Sequence, residues 1–169
     1  MLKGLSGSGS GAVAGQLPAL ASGASFPTTY GNIGYANQNG KASGSALVLA
    51  TTVYQNLASF SLNAGVYLCW MNVNFVLAAA TPTLLQAGVS QTSITLPAAD
   101  GTATEYGVSP NAVAYHMTTL AVATGTYSFV AGPVILIPSG STTYYGVVGS
   151  TFSAGGITCF GQMTALQIA

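Results

Sequence analysis

The sequence predicts an all-β protein, a jelly-roll β-sandwich preceded by an extended, non-globular N-terminal arm. Three observations carry this reading. From residue 46 onward, apolar side chains recur at every second position or in short runs, and no stretch combines a helical period with capping residues. Gly and Pro punctuate that region at short intervals: Pro97 to Gly101, Gly107 to Pro110, Gly132-Pro133, Pro138 to Ser141 and Gly155-Gly156. Residues 1–45, in contrast, are rich in Gly, Ser and Ala and follow neither period.

The arm comes first. Its apolar residues, Leu2, Leu5, Val13, Leu17, Leu20, Phe26, Tyr30 and Tyr35, are scattered. Gly and Ser at this density lose much backbone entropy on ordering, so the segment needs an external surface to hold it. It is therefore expected to lie extended along another protein, with Leu2, Leu5, Val13, Leu17, Leu20, Phe26 and Tyr30 as its anchoring contacts. Gly7 to Gly11 is not a phosphate loop, since it lacks the Lys-Ser/Thr ending, a preceding strand and a following helix. The domain proper is expected over 46–169.

Strands are predicted at 46–54 and 57–62. Asn63-Ala64-Gly65 is turn chemistry. The stretch 65–77 alternates most clearly: Tyr67, Cys69, Met71, Val73, Phe75 and Leu77 form one phase and face a core. The other phase, Val66, Leu68, Trp70, Asn72, Asn74 and Val76, is mixed and suits a face partly covered by something else. Further strands are predicted at 83–89, 91–96, 112–122, 126–130, 133–137, 142–152 and 156–168. Strand 133–137 is continuously apolar, which predicts burial on both faces. Leu68, Trp70, Val76, Ile135 and Ile137 are accordingly the expected oligomer interface. Short strands at this spacing fit two sheets packed face to face as a jelly roll.

Charge is nearly absent: Lys3, Lys41, Asp100 and Glu105 are the whole inventory in 169 residues. An ordinary soluble domain is roughly 25% charged. Phosphate recognition needs clustered Lys and Arg, so nucleic acid is excluded as a partner, and the same shortage argues against an anionic membrane surface. No apolar run approaches the roughly 20 residues of a membrane-spanning helix. No secretory leader is expected, because Lys3 is followed by Gly- and Ser-rich sequence rather than an apolar stretch. A surface of neutral polar residues, or one covered by other protein, points to a component of an assembly.

Chemistry has little to work with. Asp100 and Glu105 fall in one loop, where a solvated turn explains them better than a catalytic carboxylate pair or a calcium site. His116 sits alone on strand 112–122, and no nucleophile elbow accompanies it. Cys69 and Cys159 show neither metal spacing nor a C-x-x-C redox motif. They are either free thiols in the core or a disulfide. No enzyme, metal or cofactor is expected.

Four stretches in the domain carry a resemblance: Ser59 to Leu68, Gly88 to Pro97, Thr142-Thr143-Tyr144-Tyr145 with Thr151-Phe152, and Cys159 to Ala169. Their order over 57–169 resembles a C-terminal domain of bacteriophage virion proteins, a small trimeric jelly roll similar to the tumour-necrosis-factor and C1q type. The closing strand departs from that pattern, since it lacks the usual Arg. The resemblance implies a homotrimeric structural protein of the virion, on the capsid surface or the tail. It would be a capsid decoration or head-fibre protein whose arm binds the major capsid protein or another virion protein. A receptor-binding tail-fibre tip or adhesin, with a host-surface glycan as ligand, is the alternative.

Overall fold

The computed structural model describes residues 34–96 and 124–169, together with the backbone of 114–118. The arm positions Leu2, Leu5, Val13, Leu17, Leu20, Phe26 and Tyr30 lie outside the described residues, as do Lys3, Asp100 and Glu105. Nine strands are described: β1 Ala36–Lys41, β2 Leu47–Leu49, β3 Val53–Leu62, β4 Tyr67–Ala78, β5 Thr81–Ser90, β6 Ala114–Thr118, β7 Gly125–Leu136, β8 Thr142–Ser153 and β9 Gly156–Gln167. A single 3-10 turn, Ser43–Ser45, separates β1 from β2.

The strands form two antiparallel sheets. One has the order β1-β9-β4-β7, with β2 also paired to β9, and the other has the order β3-β8-β5-β6. Only the β5–β6 connection stays within a sheet among strands β3 to β9; the others cross between sheets. This interleaving of early and late strands is the jelly-roll arrangement. Most strands pair with one distant in sequence.

The core lies between the sheets and follows from alternation. On β4, Tyr67, Cys69, Met71, Val73, Phe75 and Leu77 are all buried, while the intervening positions are half-buried or exposed. They meet Leu57, Phe60 and Leu62 of β3, Leu85, Ala87 and Val89 of β5, and Tyr144 and Val148 of β8. Phe75 and Phe129 stack with ring centroids 5.3 Å apart, an offset geometry that adds to their burial.

Four predicted boundaries change. Ala36–Lys41, assigned by sequence to the arm, is a sheet strand paired with β9. It lacks apolar alternation because it is an edge strand whose inward side chains bond the neighbouring sheet: Asn39 Nδ2 donates to the Ser59 carbonyl at 2.7 Å, and Asn37 Nδ2 to the Ser61 carbonyl at 3.4 Å. Predicted strand 46–54 is divided by a turn at Thr52, which has a φ of 61°; β2 lies on one side and β3 begins on the other. Residues 91–96 are turns rather than a strand. Finally, 126–130 and 133–137 are parts of one strand, β7, broken in phase by a bulge.

That bulge decides what faces outward. Cys69 pairs with Val134 and Met71 with Ala131, so Trp70 alone opposes both Gly132 and Pro133. The extra residue shifts the alternation. Phe129 and Ala131 face the core before it, and Val134 and Leu136 face the core after it. Ile135 and Ile137 are thereby turned outward, where 37% and 54% of their surface is exposed. Within the chain, then, strand 133–137 is buried on one face, not two.

Candidate functional site: the outward face of the β1-β9-β4-β7 sheet

The outer faces of the two sheets differ in how the chain treats them. The β3-β8-β5 face is covered in part by the turn after β5 and by Tyr54, with Ile94 and Tyr54 themselves exposed. Val147 points away from the core yet is fully buried. Its register partner is Asn56. The Asn56 carboxamide pins the turn after β5 across this face: Nδ2 donates to Ser93 Oγ at 2.8 Å, and Oδ1 accepts the Ile94 N–H at 2.9 Å. Tyr54 lies over Gly149, where a Cβ would collide with its ring, and donates its hydroxyl proton to Gln86 Oε1 at 2.9 Å.

The other sheet has no such cover among the described residues. Registers of β7, β4, β9, β1 and β2 order its outward side chains in five rows. Ile135, Leu68, Leu166 and Ala36 form the first. Trp70, Thr164 and Gln38 form the second. Val130, Asn72, Gln162 and Gly40 make the third, and Ser128, Asn74 and Phe160 the fourth. Thr126, Val76, Thr158 and Val48 complete the set. The first row is wholly apolar, the other four mix polar and apolar side chains, and Asn72 and Gln162 stand in the central one. Val48 is 71% exposed and Val130 49%, and Leu68, Trp70 and Val76 are half-buried. Exposed aliphatic side chains on one sheet face make it a candidate interaction surface.

The centre of the face is hollow. A shallow cavity of about 440 Å³ is lined by Gly40, Lys41, Ala42, Asn72, Asn74, Gly161 and Gln162. Its floor is bare backbone for steric reasons. Gly161 has a φ of 155°, and a Cβ there would run into the Asn72 carbonyl and Val73 Cα; a Cβ on Gly40 would strike the Gly161 carbonyl. The carboxamides around it are partly engaged. Gln162 Nε2 donates to Gln38 Oε1 at 2.9 Å, and the Ser128 hydroxyl donates to Asn74 Oδ1.

The sequence-predicted interface residues therefore fall on one face: Leu68, Trp70 and Val76 from β4, Ile135 from β7, and Ile137 just beyond it. Sequence reasoning missed Val48, Val130, Gly40 and Gln162 as members of that face. Val48 and Gly40 belong to strands hidden in Gly/Ser-rich sequence. Val130 and Gln162 join the face only through strand register, which alternation alone does not supply.

Cys69 and Cys159 are free thiols, both buried. Cys69 lies opposite Ala165 and Cys159 opposite Phe75, near opposite ends of the β4–β9 pair. At 3.3–3.4 Å per residue this places them roughly 20 Å apart along the strand, far outside disulfide reach. Burial pushes each thiol up to about 12. A thiol held so firmly protonated is a poor nucleophile and a poor metal ligand.

Among the described residues no three His, Cys, Asp or Glu side chains cluster to hold a metal, and no helix is long and apolar enough to cross a membrane. His116 lies on β6 opposite Gln86 in the register. The chain matches no protein-family model and no curated protein.

Proposed function

We propose that this chain is a structural virion protein of a bacteriophage, a homotrimeric capsid decoration or head-fibre subunit held to the particle by its N-terminal arm. The observation that carries the reading is the outward face of the β1-β9-β4-β7 sheet, which presents Val48, Val130, Ile135 and Ile137 to solvent, whereas the turn after β5 and Tyr54 cover part of the other sheet's outer face. Such a face is stabilised by a partner at about 25 cal/mol per Å² of apolar area covered.

Copies of the same chain are the occupant that charge favours. At a symmetric interface near an axis, a charged side chain meets its own sign. Lys41 is the one charged residue among those described, in a chain holding two basic and two acidic residues in all. A near-neutral face pays no such repulsion. The jelly-roll fold and the ordered sequence motifs are in keeping with a trimeric virion domain, and the Gly/Ser-rich arm suits attachment to a capsid or other virion protein. The role is structural, with no catalysis and no cofactor.

The test is to probe purified virions with antibody against the chain and compare its band with that of the major capsid protein on a stained gel. A decoration role gives labelling over the head and a copy number comparable to the capsid protein. Labelling confined to the tail, at far lower copy number, would favour the receptor-binding reading. Absence from the particle would reject both.

A further inference from the structure

Each sheet of the sandwich ends in edge strands, and β3 is such an edge, paired on one side only, with β8. We propose that the carboxamides of Asn37 and Asn39 mask a strand-accepting edge on β3, holding Leu57 to Leu62 back from edge-to-edge pairing with a second copy of this chain.

The hydrogen bonds show which way the edge points. In an antiparallel ladder the N–H and C=O of one residue point to the same side, and successive residues alternate. Asn39 Nδ2 donates to the Ser59 carbonyl at 2.7 Å, and Asn37 Nδ2 to the Ser61 carbonyl at 3.4 Å. The main-chain groups of Ser59 and Ser61 therefore point off the sheet, away from β8. They are the groups that an added strand would use. The match is in step, since donors and acceptors are each two residues apart and run in opposite directions along β1 and β3. β9 holds β1 in place, with Asn37 opposite Ala165 and Asn39 opposite Met163. Both partners are buried, so the two carboxamides lie on the side of β1 that faces the other sheet. None of the described core residues comes from β1. Its inward side chains serve the edge of β3 instead.

The edge behind them needs a guard. Leu57-Ala58-Ser59-Phe60-Ser61-Leu62 has no charge, no Pro and no Gly, the traits of segments that pair edge to edge when left open. Repulsion between copies, the usual safeguard, is missing, because Lys41 is the one charged residue among those described. That shortage also names the occupant. The β3 edges of two copies are identical and uncharged, so they can meet as an antiparallel pair about a twofold axis. The other long edge, β7, carries a block of its own: Pro133 lacks an N–H and sits at the bulge opposite Trp70.

Sedimentation velocity of the full chain tests this, comparing the unaltered protein with N37T/N39T and with N37T/N39T/S59P. Threonine favours a strand and stays polar, but its side chain is one bond shorter, which withdraws the donor from each carbonyl. Proline at 59 removes an N–H that points off the edge, so the β3–β8 ladder keeps its bonds while the edge is blocked again. N37T/N39T is expected to carry at least tenfold more material heavier than the main species of the unaltered protein. S59P is expected to return that fraction to within twofold of the unaltered value. Circular dichroism verifies the β content of each variant. If N37T/N39T misfolds, N39T alone, which removes the shorter bond, carries the same expectation; S61P replaces S59P if the latter disturbs β3. Folded N37T/N39T that sediments like the unaltered protein would overturn the mask. Heavy material that the proline leaves in place would overturn it too, since that association runs through another surface. Each variant is compared with the main species of the unaltered protein, so the outcome is the same whether that species is a trimer or a monomer.

Discussion

Cys69 and Cys159 each have their thiol pushed by burial from 9.0 up to about 12, and this makes them reporters of the core. A thiol whose folded pKa is raised contributes stability that is fully present below 9 and is lost as pH climbs toward 12. Tyr144 shifts in the same direction, mainly through burial and against the hydrogen bond from Gln91. At pH 10 the two thiols together are expected to cost about 3 kcal/mol relative to pH 7. Urea midpoints at the two pH values measure this, and C69A/C159A should remove most of the difference. A second expectation concerns Ile94, which holds a φ of 49° with 57% of its surface exposed. A β-branched residue is unfavourable there, whereas Asn tolerates that region. Ile94→Asn should therefore raise stability by roughly 0.5–1 kcal/mol. A loss of stability would mean that the exposed Ile94 side chain contributes more than its backbone costs.

At the scale of elements, alternation was the most legible signal. The two phases of β4 appear in the sequence as Tyr67 to Leu77 against Leu68 to Val76, and the structure buries the first and opens the second. The phase break in β7 was also visible, because 126–130 and 133–137 read as separate strands; the bulge opposite Trp70 joins them. β1 was not legible. Ala-Asn-Gln-Asn-Gly-Lys carries no apolar period, since its inward Asn37 and Asn39 bond the main chain of β3 rather than enter the core. Residues 91–96 misled in the opposite way: Ile94 and Leu96 alternate like a strand, but the turn is fixed by Asn56, far off in sequence. The centre of the candidate site was half legible, with Asn72 visible by phase and Gln162 placed only by register. A truncation series follows from β1. Removing residues 1–33 should leave stability unchanged, whereas removing 1–40 should cost roughly 2–4 kcal/mol through the lost β1–β9 ladder and the two Asn bonds. Thermal melts of the two truncations measure the difference, and equal melting temperatures would show that β1 adds nothing.

For the whole molecule the governing quantity is the near-absence of charge, with two basic and two acidic residues in the chain. The proposed association would then rest on apolar burial and neutral hydrogen bonds. Raising salt from about 0.1 to 1 M shortens the screening length from roughly 10 to 3 Å. That change should leave both the proposed oligomer and its proposed attachment to particles intact, and salts excluded from protein surfaces should strengthen them slightly. Retention on virions after a high-salt wash, compared with a wash in mild urea, reads this out. Release by salt alone would give the decisive role to Lys3, Lys41, Asp100 and Glu105. In the proposed assembly the β1-β9-β4-β7 face is covered by copies of the chain. Sedimentation equilibrium of the full chain over a micromolar concentration series, beside Ile135→Lys, tests it most directly. The expected result is a trimer for the unaltered protein and dissociation for the variant, whose three lysines would meet in an apolar setting. A folded, unaltered protein that stays monomeric across the series would contradict it.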